Sequence, residues 1–415
     1  MLGLSSVSSQ VSYLPFSSSR SILLDGSNEY IAVNSEFNST FNDSFSISIW
    51  VKATDGNPAE LDYIYGSKNT SEEDEIFLRV STSGLLAFVF KGDGNSAVFE
   101  TDAAVFTDGA NDWKHIVCTV SKGGSGNSVI VIYVNGSAVS ATEDAGGIPV
   151  ANHGAFASDA TFAIGALNAA ATGREKYFNG AVDEFGLWST ALSANAVSAL
   201  YNNGKPTELS SSQGDYTAQE DLVAWYRMGD GHLDNAGSNT SGGSRAVIVN
   251  QVGASIGANL ATGNNNNFAT GVGNWIALGS GVSVGASGGI LTVTLSGSGG
   301  ATANEGAELD LSNAVVEAGK IYRMSADIWL GTATPNDFRM ACGGASIPVS
   351  LTTTRTNFVV YFETANTNDV TFFDDDVDGG SGTFFIADFR LQKISPDNSA
   401  IAINTEAADF RIDTP

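Results

Sequence analysis

Residues 45–53 read FSISIWVKA. Phe45, Ile47, Ile49 and Val51 share one face of an extended chain, and Ser46, Ser48, Trp50 and Lys52 share the other. A period of two is the mark of a β-strand with one face against a core. The text to either side repeats this grammar. GLLAFVF (84–90), HIVCTV (115–120), VIVIYVNG (129–136) and TFAIGA (161–166) are short apolar runs broken by Gly, Asn and Asp. VIVIYV is apolar on both faces, which predicts a strand covered on both sides, and Asn135-Gly136 ends it with a hairpin-type turn. The one helix predicted lies in STALSANAVSALYNNG (189–204). Ser193 is its N-cap, Ala196, Val197, Leu200 and Tyr201 form the apolar stripe, and Asn203-Gly204 stops it.

Further along, LVAWYRMGDG (222–231) is strand-like between two polar, loop-type stretches, SSSQGDYTAQED and DNAGSNTSGGS. A second β-rich block opens at Asn259 with GILTVTLSG, IYRMSADIWLG, NFVVYFETA, VTFFDD and TFFIADFRLQKI. In the last run, Phe385, Ala387, Phe389 and Leu391 alternate with Ile386, Asp388, Arg390 and Gln392. The reading is all-β: two antiparallel sandwiches, or jelly rolls, joined by a connector, with one short helix closing the first. The expected layout is an arm (1–20), a first sandwich (21–208), a connector with a returning strand (209–258), a second sandwich (259–396) and a tail (397–415).

Composition narrows the function. The 415 residues include 45 acidic and 19 basic ones, a formal charge of −26. Nucleic-acid binding needs Lys and Arg to displace counterions from phosphate, so that class is excluded. No stretch approaches the about 20 consecutive apolar residues of a membrane-spanning helix, so no membrane insertion is expected. With 47 Gly and 8 Pro the chain suits tight turns between short strands. Cys118 and Cys342 fall in different expected domains, so no disulfide is expected. The first 20 residues lack the basic and apolar regions of a secretory signal, so another route out of the cell, such as host lysis during virus release, is the expectation.

Several phrases carry a family resemblance. SILLDGSNEYIAV, SFSISIWVKA, DWKHIVCTV, VIVIYVNGSAV and GAVDEFGLWSTALSANAVSALYNNG, in that order between 21 and 204, resemble the laminin-G-like, concanavalin-A-type jelly roll. That likeness implies a two-sheet sandwich, often calcium-bearing, used for carbohydrate or protein recognition. LVAWYRMGDG is similar to the strand that usually opens such domains, yet here it follows the closing helix, which reads either as a permuted strand pairing back onto the sandwich or as the stub of an abandoned repeat. NLATGNNNNFATGVGNWIAL and GTFFIADFRLQKI make 259–396 resemble a carbohydrate-binding-module jelly roll. The whole layout looks like virion-associated proteins of marine tailed phages.

Candidate sites follow, each beside a plainer reading. Asp374, Asp376 and Asp378 alternate and precede Gly379, as in the first half of a calcium loop. The bidentate Glu expected at position 12 is replaced by Phe385, and the resemblance offers Asp388 as a compensating ligand. A solvated acidic loop explains the same run. Asp25 and Asp183 match acidic positions of the first family and could share one structural calcium, or Asp25 simply builds an Asp-Gly turn. Sugar binding wants an exposed aromatic face with polar groups beside it. Tyr63, Trp50 and Trp275 are the candidates, with Trp329 a further one, against a core role for all aromatics. Trp113 and Trp188 are expected in the core.

No catalytic set emerges. Glu72-Glu73-Asp74-Glu75 runs into Ile76 and Phe77 where a glucanase strand alternates carboxylates, and Asp183-Glu184 in a regular strand points to opposite faces. His115, His153 and His232 stand alone. The expected function is therefore non-catalytic recognition of host-surface glycans, or decoration of a particle, by a phage virion protein present in multiple copies or as a homo-oligomer. A bacterial surface or secreted adhesin is the alternative, and a glycoside hydrolase the remote one.

Overall fold

The computed structural model describes residues 16–92, 95–123, 128–143, 155–235, 246–297, 304–311, 316–367, 369–375 and 380–415. These residues form two β-sandwiches. In the first, an eight-stranded sheet places Ser137–Ala138, Val129–Val134, Lys114–Ser121, Phe45–Ala53, Asn179–Trp188, Ser21–Asp25 and Phe410–Arg411 side by side, with Leu222–Tyr226 also pairing to Asn179–Trp188. An eleven-stranded sheet faces it. Between them lie Phe45, Ile47, Ile49 and Val51 from one side and Ile64, Ile76, Leu78, Phe88 and Phe90 from the other. The period of two in FSISIWVKA thus selects its inner face as expected.

The opposite face of that strand is covered as well. Helix Ala194–Tyr201, capped by Ser193 Oγ accepting from Ala196 N, lies over it. Ser46 Oγ donates to Thr190 O and accepts from Leu192 N, while Trp50 stacks on His115 and on Tyr201 with centroids 4.8 and 5.9 Å apart. The polar-looking side of the strand is therefore the seat of a helix, not a wet surface.

The stretches expected as connector and tail are built into the first sandwich. Leu222–Tyr226 pairs antiparallel with Asn179–Trp188. Ala400–Ile403 inserts between Tyr30–Val33 and Ala246–Ile248 in the eleven-stranded sheet, and Phe410–Arg411 extends the other sheet beside Ser21–Asp25. The chain leaves the first sandwich after Ile248, builds the second, and returns. At the crossing Val247, Val249 and Ile401 pack with Ile321, Tyr361 and Ile394. Asp397 there bridges Lys320 at 2.8 Å and Lys393 at 3.1 Å.

The second sandwich has a six-stranded sheet, with Ser283–Ser287, Ile290–Leu295, Gly382–Ser395, Ile321–Leu330 and Thr356–Glu363 in order, and Ser255–Ile256 paired to Gly382–Ser395. Its five-stranded partner orders Trp275–Leu278, Glu305–Leu309, Val370–Asp374, Phe338–Cys342 and Ala345–Pro348. Cys118 and Cys342 are free thiols buried in separate cores.

Candidate functional site

The strand Gly382–Ser395 changes phase along its length. Phe384 and Ile386 point into the second core, and so do Phe389 and Leu391, which an unbroken alternation forbids. An extra residue resolves the conflict: Ser325 pairs with Arg390 while Asp327 pairs with Ala387, and Asp388 sits at φ 51°. This is a β-bulge. It overturns the grouping of Phe385 with Phe389 on one face. Phe385 stands on the outer face of the six-stranded sheet, partly exposed.

Register then assembles a row across that face. Thr292 and Trp329 both pair with Phe385, from the strands on either side. The Trp329 and Phe385 rings stack with centroids 5.2 Å apart and planes 29° from parallel. Arg355, just before the Thr356 that pairs with Ile328, holds its guanidinium 5.2 Å over the indole of Trp329. Two carboxylates hold that guanidinium, and an amide fixes one of them in turn. Arg355 Nε donates to Asp327 Oδ2 and Nη2 to Asp388 Oδ2, both at 2.7 Å, and Asn357 Nδ2 donates to Asp327 Oδ1 at 2.8 Å. Once the Arg355 guanidinium turns off the indole, an aromatic pair edged by directed donors and acceptors can take the C–H face of a pyranose and hold its hydroxyls.

The three aromatic candidates Tyr63, Trp50 and Trp275 take other places, each for a visible reason. Trp50 is 3% exposed under the helix. Tyr63 packs with Phe77, Val89 and Leu167 in a buried cluster on the first domain. Trp275 is 1% exposed, ringed by Phe268, Phe372 and Phe389, with Nε1 donating to Asn265 O. None offers a ring face to solvent. Trp188 is in the core, but Trp113 is partly exposed rather than buried.

The described acidic candidates, Asp25, Asp183, Asp374 and Asp388, are not brought together. Asp25 Oδ1 accepts from the amides of Ser27, Asn28 and Glu29, so it organises its turn. The pairing of Ile22 with Val182 puts Asp183 four residues along the sheet from Asp25, about 13 Å at roughly 3.3 Å per residue. Asp374 is buried and accepts from Asp337 N and Gly380 N. Asp388 belongs to the other sheet and to Arg355. Asp376, Asp378 and His153 lie outside the described residues. Among the described residues no group of three or more His, Cys, Asp or Glu is placed to hold a metal ion.

Two buried clusters have the ingredients of catalysis without its access. Ser48 Oγ lies 2.8 Å from His115 Nε2, but the ring is sandwiched under Trp50 and Tyr201, and burial pushes its pKa down to about 3. Asp183 and Glu184 share the outer face of the eight-stranded sheet, against the expectation of opposite faces. A bulge between Asp183 and Gly186, with Glu184 at φ 45°, turns them the same way. Residues 16–19 close over them: Ser18 Oγ donates to Asp183 at 2.8 Å, and Phe16 stacks on Trp225, which itself donates to Glu184.

Residues 25–198 match the family model described as the concanavalin A-like lectin/glucanases superfamily, of laminin-G type. No curated protein matches the chain. A putative carbohydrate binding protein from Bacteroides ovatus is 22% identical over 58% of this chain and 57% of its own, with a TM-score of 0.38. The heptameric SAP-like pentraxin of Limulus polyphemus is 16% identical over 50% of this chain and 91% of its own, with a TM-score of 0.34. The CBM40 of a Ruminococcus gnavus IT-sialidase is 12% identical over 44% and 96%, also at 0.34.

Proposed function

Starting from a first domain of laminin-G-like, concanavalin-A type, we propose that the chain is a non-catalytic glycan-recognition protein whose second domain presents the binding face. The Trp329–Phe385 row, with Arg355 pinned above it by Asp327 and Asp388, is the observation that carries this reading. The exposed ion pairs cost little to rearrange, since such bridges contribute about 0–1 kcal/mol, so the same groups are free to turn towards sugar hydroxyls. Trp329 and Phe385 are partly exposed on the face of a sheet, which suits a polysaccharide passing across it. One such platform binds weakly, and repeated copies supply avidity. The burial of Ser48–His115 and of Asp183–Glu184 keeps those two groups from any substrate, which favours a non-catalytic role. Display on a phage particle is the setting we favour, on the likeness of layout described above, with a bacterial surface adhesin as the alternative. A structural calcium, expected from the run Asp374, Asp376 and Asp378, is tested by the calcium and chelator arms below.

The test is a screen of the purified full chain against bacterial surface polysaccharides, with millimolar calcium and with chelator, repeated on Trp329→Ala and Phe385→Ala. Binding that falls at least about tenfold in each variant, about 1.4 kcal/mol, supports the platform. Binding indifferent to both variants, or none to any polysaccharide, moves the function to particle decoration. Recovery of the chain in purified virions decides the setting.

A further inference from the structure

The outer face of the eight-stranded sheet is covered by the helix at one end and by residues 16–19 over Asp183 and Glu184, and it opens past them. There, neighbouring strands line a cavity of about 590 Å³ with Lys52, Ala181, Leu23 and Arg411. The register makes this a continuous floor: Lys52 pairs with Ala181, Ala181 with Leu23, and Arg411 with Ser21 on the strand that carries Leu23. The middle of the floor is apolar and both ends are cationic. The cavity is walled by the loop at Gly109–Asn111 and closed on one side by Asp413.

Asp413 shows what the cations can hold. Lys52 Nζ donates to its Oδ2 at 2.6 Å, and Trp113 Nε1 reaches its Oδ1 at 3.4 Å. That ammonium keeps the Asp413 carboxyl below its usual range. Arg411 is exposed and has no ion pair among the described residues. In a chain of charge −26, two cations at the ends of one apolar floor form a local exception. At physiological salt the Debye length is about 8 Å, so a ligand inside the cavity feels these two groups more than the remote carboxylates.

We propose that this cavity is a second saccharide site, in the first domain, selective for a sugar carrying a carboxylate, and that Asp413 is an internal placeholder which such a ligand displaces. The ligand carboxylate takes over Lys52 and Trp113, Arg411 adds a charge-assisted pair, and the C–H face of the ring lies on Ala181 and Leu23. The inference is independent of the Trp329 platform, which lies in the other sandwich.

Calorimetric titration of the full chain with trigalacturonate, against neutral galactotriose and inorganic sulfate, tests it at about 0.15 M salt. Asp413→Asn should bind trigalacturonate about 5–10-fold more tightly than the chain that keeps Asp413. Lys52→Gln and Arg411→Gln should each lose about tenfold or more, and all these titrations are run in a Trp329→Ala background so that the second-domain platform adds nothing to either sugar. The exposed Arg411 variant guards against a folding artefact at Lys52, with thermal unfolding as the check. Equal binding of galactotriose, binding by sulfate alone, indifference to Lys52→Gln and Arg411→Gln, or no binding even by Asp413→Asn overturns the proposal.

Discussion

Asp183 and Glu184 are consecutive, yet both carboxylates stand on the same face of their sheet, buried and without a cation shared between them. Of the two carboxylates only Glu184 pairs with Arg227, at 3.1 Å, while Asp183 has the Ser18 hydroxyl. Burial, then mutual repulsion, raises Asp183 well above its usual range, and burial pushes Glu184 up to about 7. Burial also lifts Glu29 to about 7, Asp62 to about 6 and Asp234 to about 7. An acid raised on folding binds more protons folded than unfolded between its ordinary value, about 4, and its folded one. Its contribution is whole at the acid end of that window and fades as pH climbs to about 7. The melting temperature should therefore fall from pH 5 to pH 8, and Asp183→Asn should flatten the slope. A melting temperature that climbs over that range contradicts the assignment.

The bulge at Asp388 makes a sharper test of the platform than truncating its rings. Asp388 adopts φ 51°, a region open to Gly and closed to β-branched side chains. Asp388→Gly keeps the phase change and loses only an exposed ion pair, so glycan binding should weaken by less than about threefold. Asp388→Val carries about 1–3 kcal/mol of backbone strain, and relieving it by removing the bulge swings Phe385 inward. Binding should then fall by about tenfold or more. Equal effects of the two variants would separate the platform from the bulge.

Removing residues 400–415 asks whether the returning chain is structural. Ala400, Ala402 and Ile401 are 0, 0 and 4% exposed and Phe410 is 8% exposed, all within the first domain or its border. Their loss also leaves Tyr30–Val33 and Ala246–Ile248 without a partner between them. The expected loss is at least about 3 kcal/mol, which at roughly 2–4 °C per kcal/mol lowers the melting temperature by about 10 °C. A disposable tail would leave it unchanged.

Much of this architecture is legible in the sequence where strands are long and one-sided. FSISIWVKA, HIVCTV and VIVIYV declare themselves by alternation or by unbroken apolarity, and Ser193 announces the helix. The failures share one physical cause: a local pattern does not say what lies across from it. Trp50 sits between Ser48 and Lys52 and reads as a wet face, but the helix supplies the missing cover. Ala246–Ile248 and Ala400–Ile403 have three and four residues, too few for periodicity to register, and their pairing is decided by chain return. Phe385 was findable. Phe384 and Ile386 keep one phase, Phe389 and Leu391 the other, and two phases in one apolar run signal a bulge between them.

A buried hydrogen-bond pair under the helix offers the last test. Tyr216 is fully buried, and its hydroxyl accepts from Trp188 Nε1 at 3.0 Å while donating to Leu209 O at 2.6 Å. Tyr216→Phe keeps the ring and removes the oxygen, so both partners are left desolvated and unpaired. That should cost about 1–3 kcal/mol, more than the net worth of a typical hydrogen bond, because the penalty comes from the orphaned indole N–H and carbonyl. Trp188→Phe also deletes the donor but opens a void, while leaving Tyr216 its bond to Leu209. It should cost more overall, yet the double variant should lose less than the sum of the two singles, since the shared bond is counted once. Chemical denaturation of the four proteins measures this coupling. Simple additivity would mean that the Trp188–Tyr216 bond contributes nothing to holding the segment after the helix against the sheet.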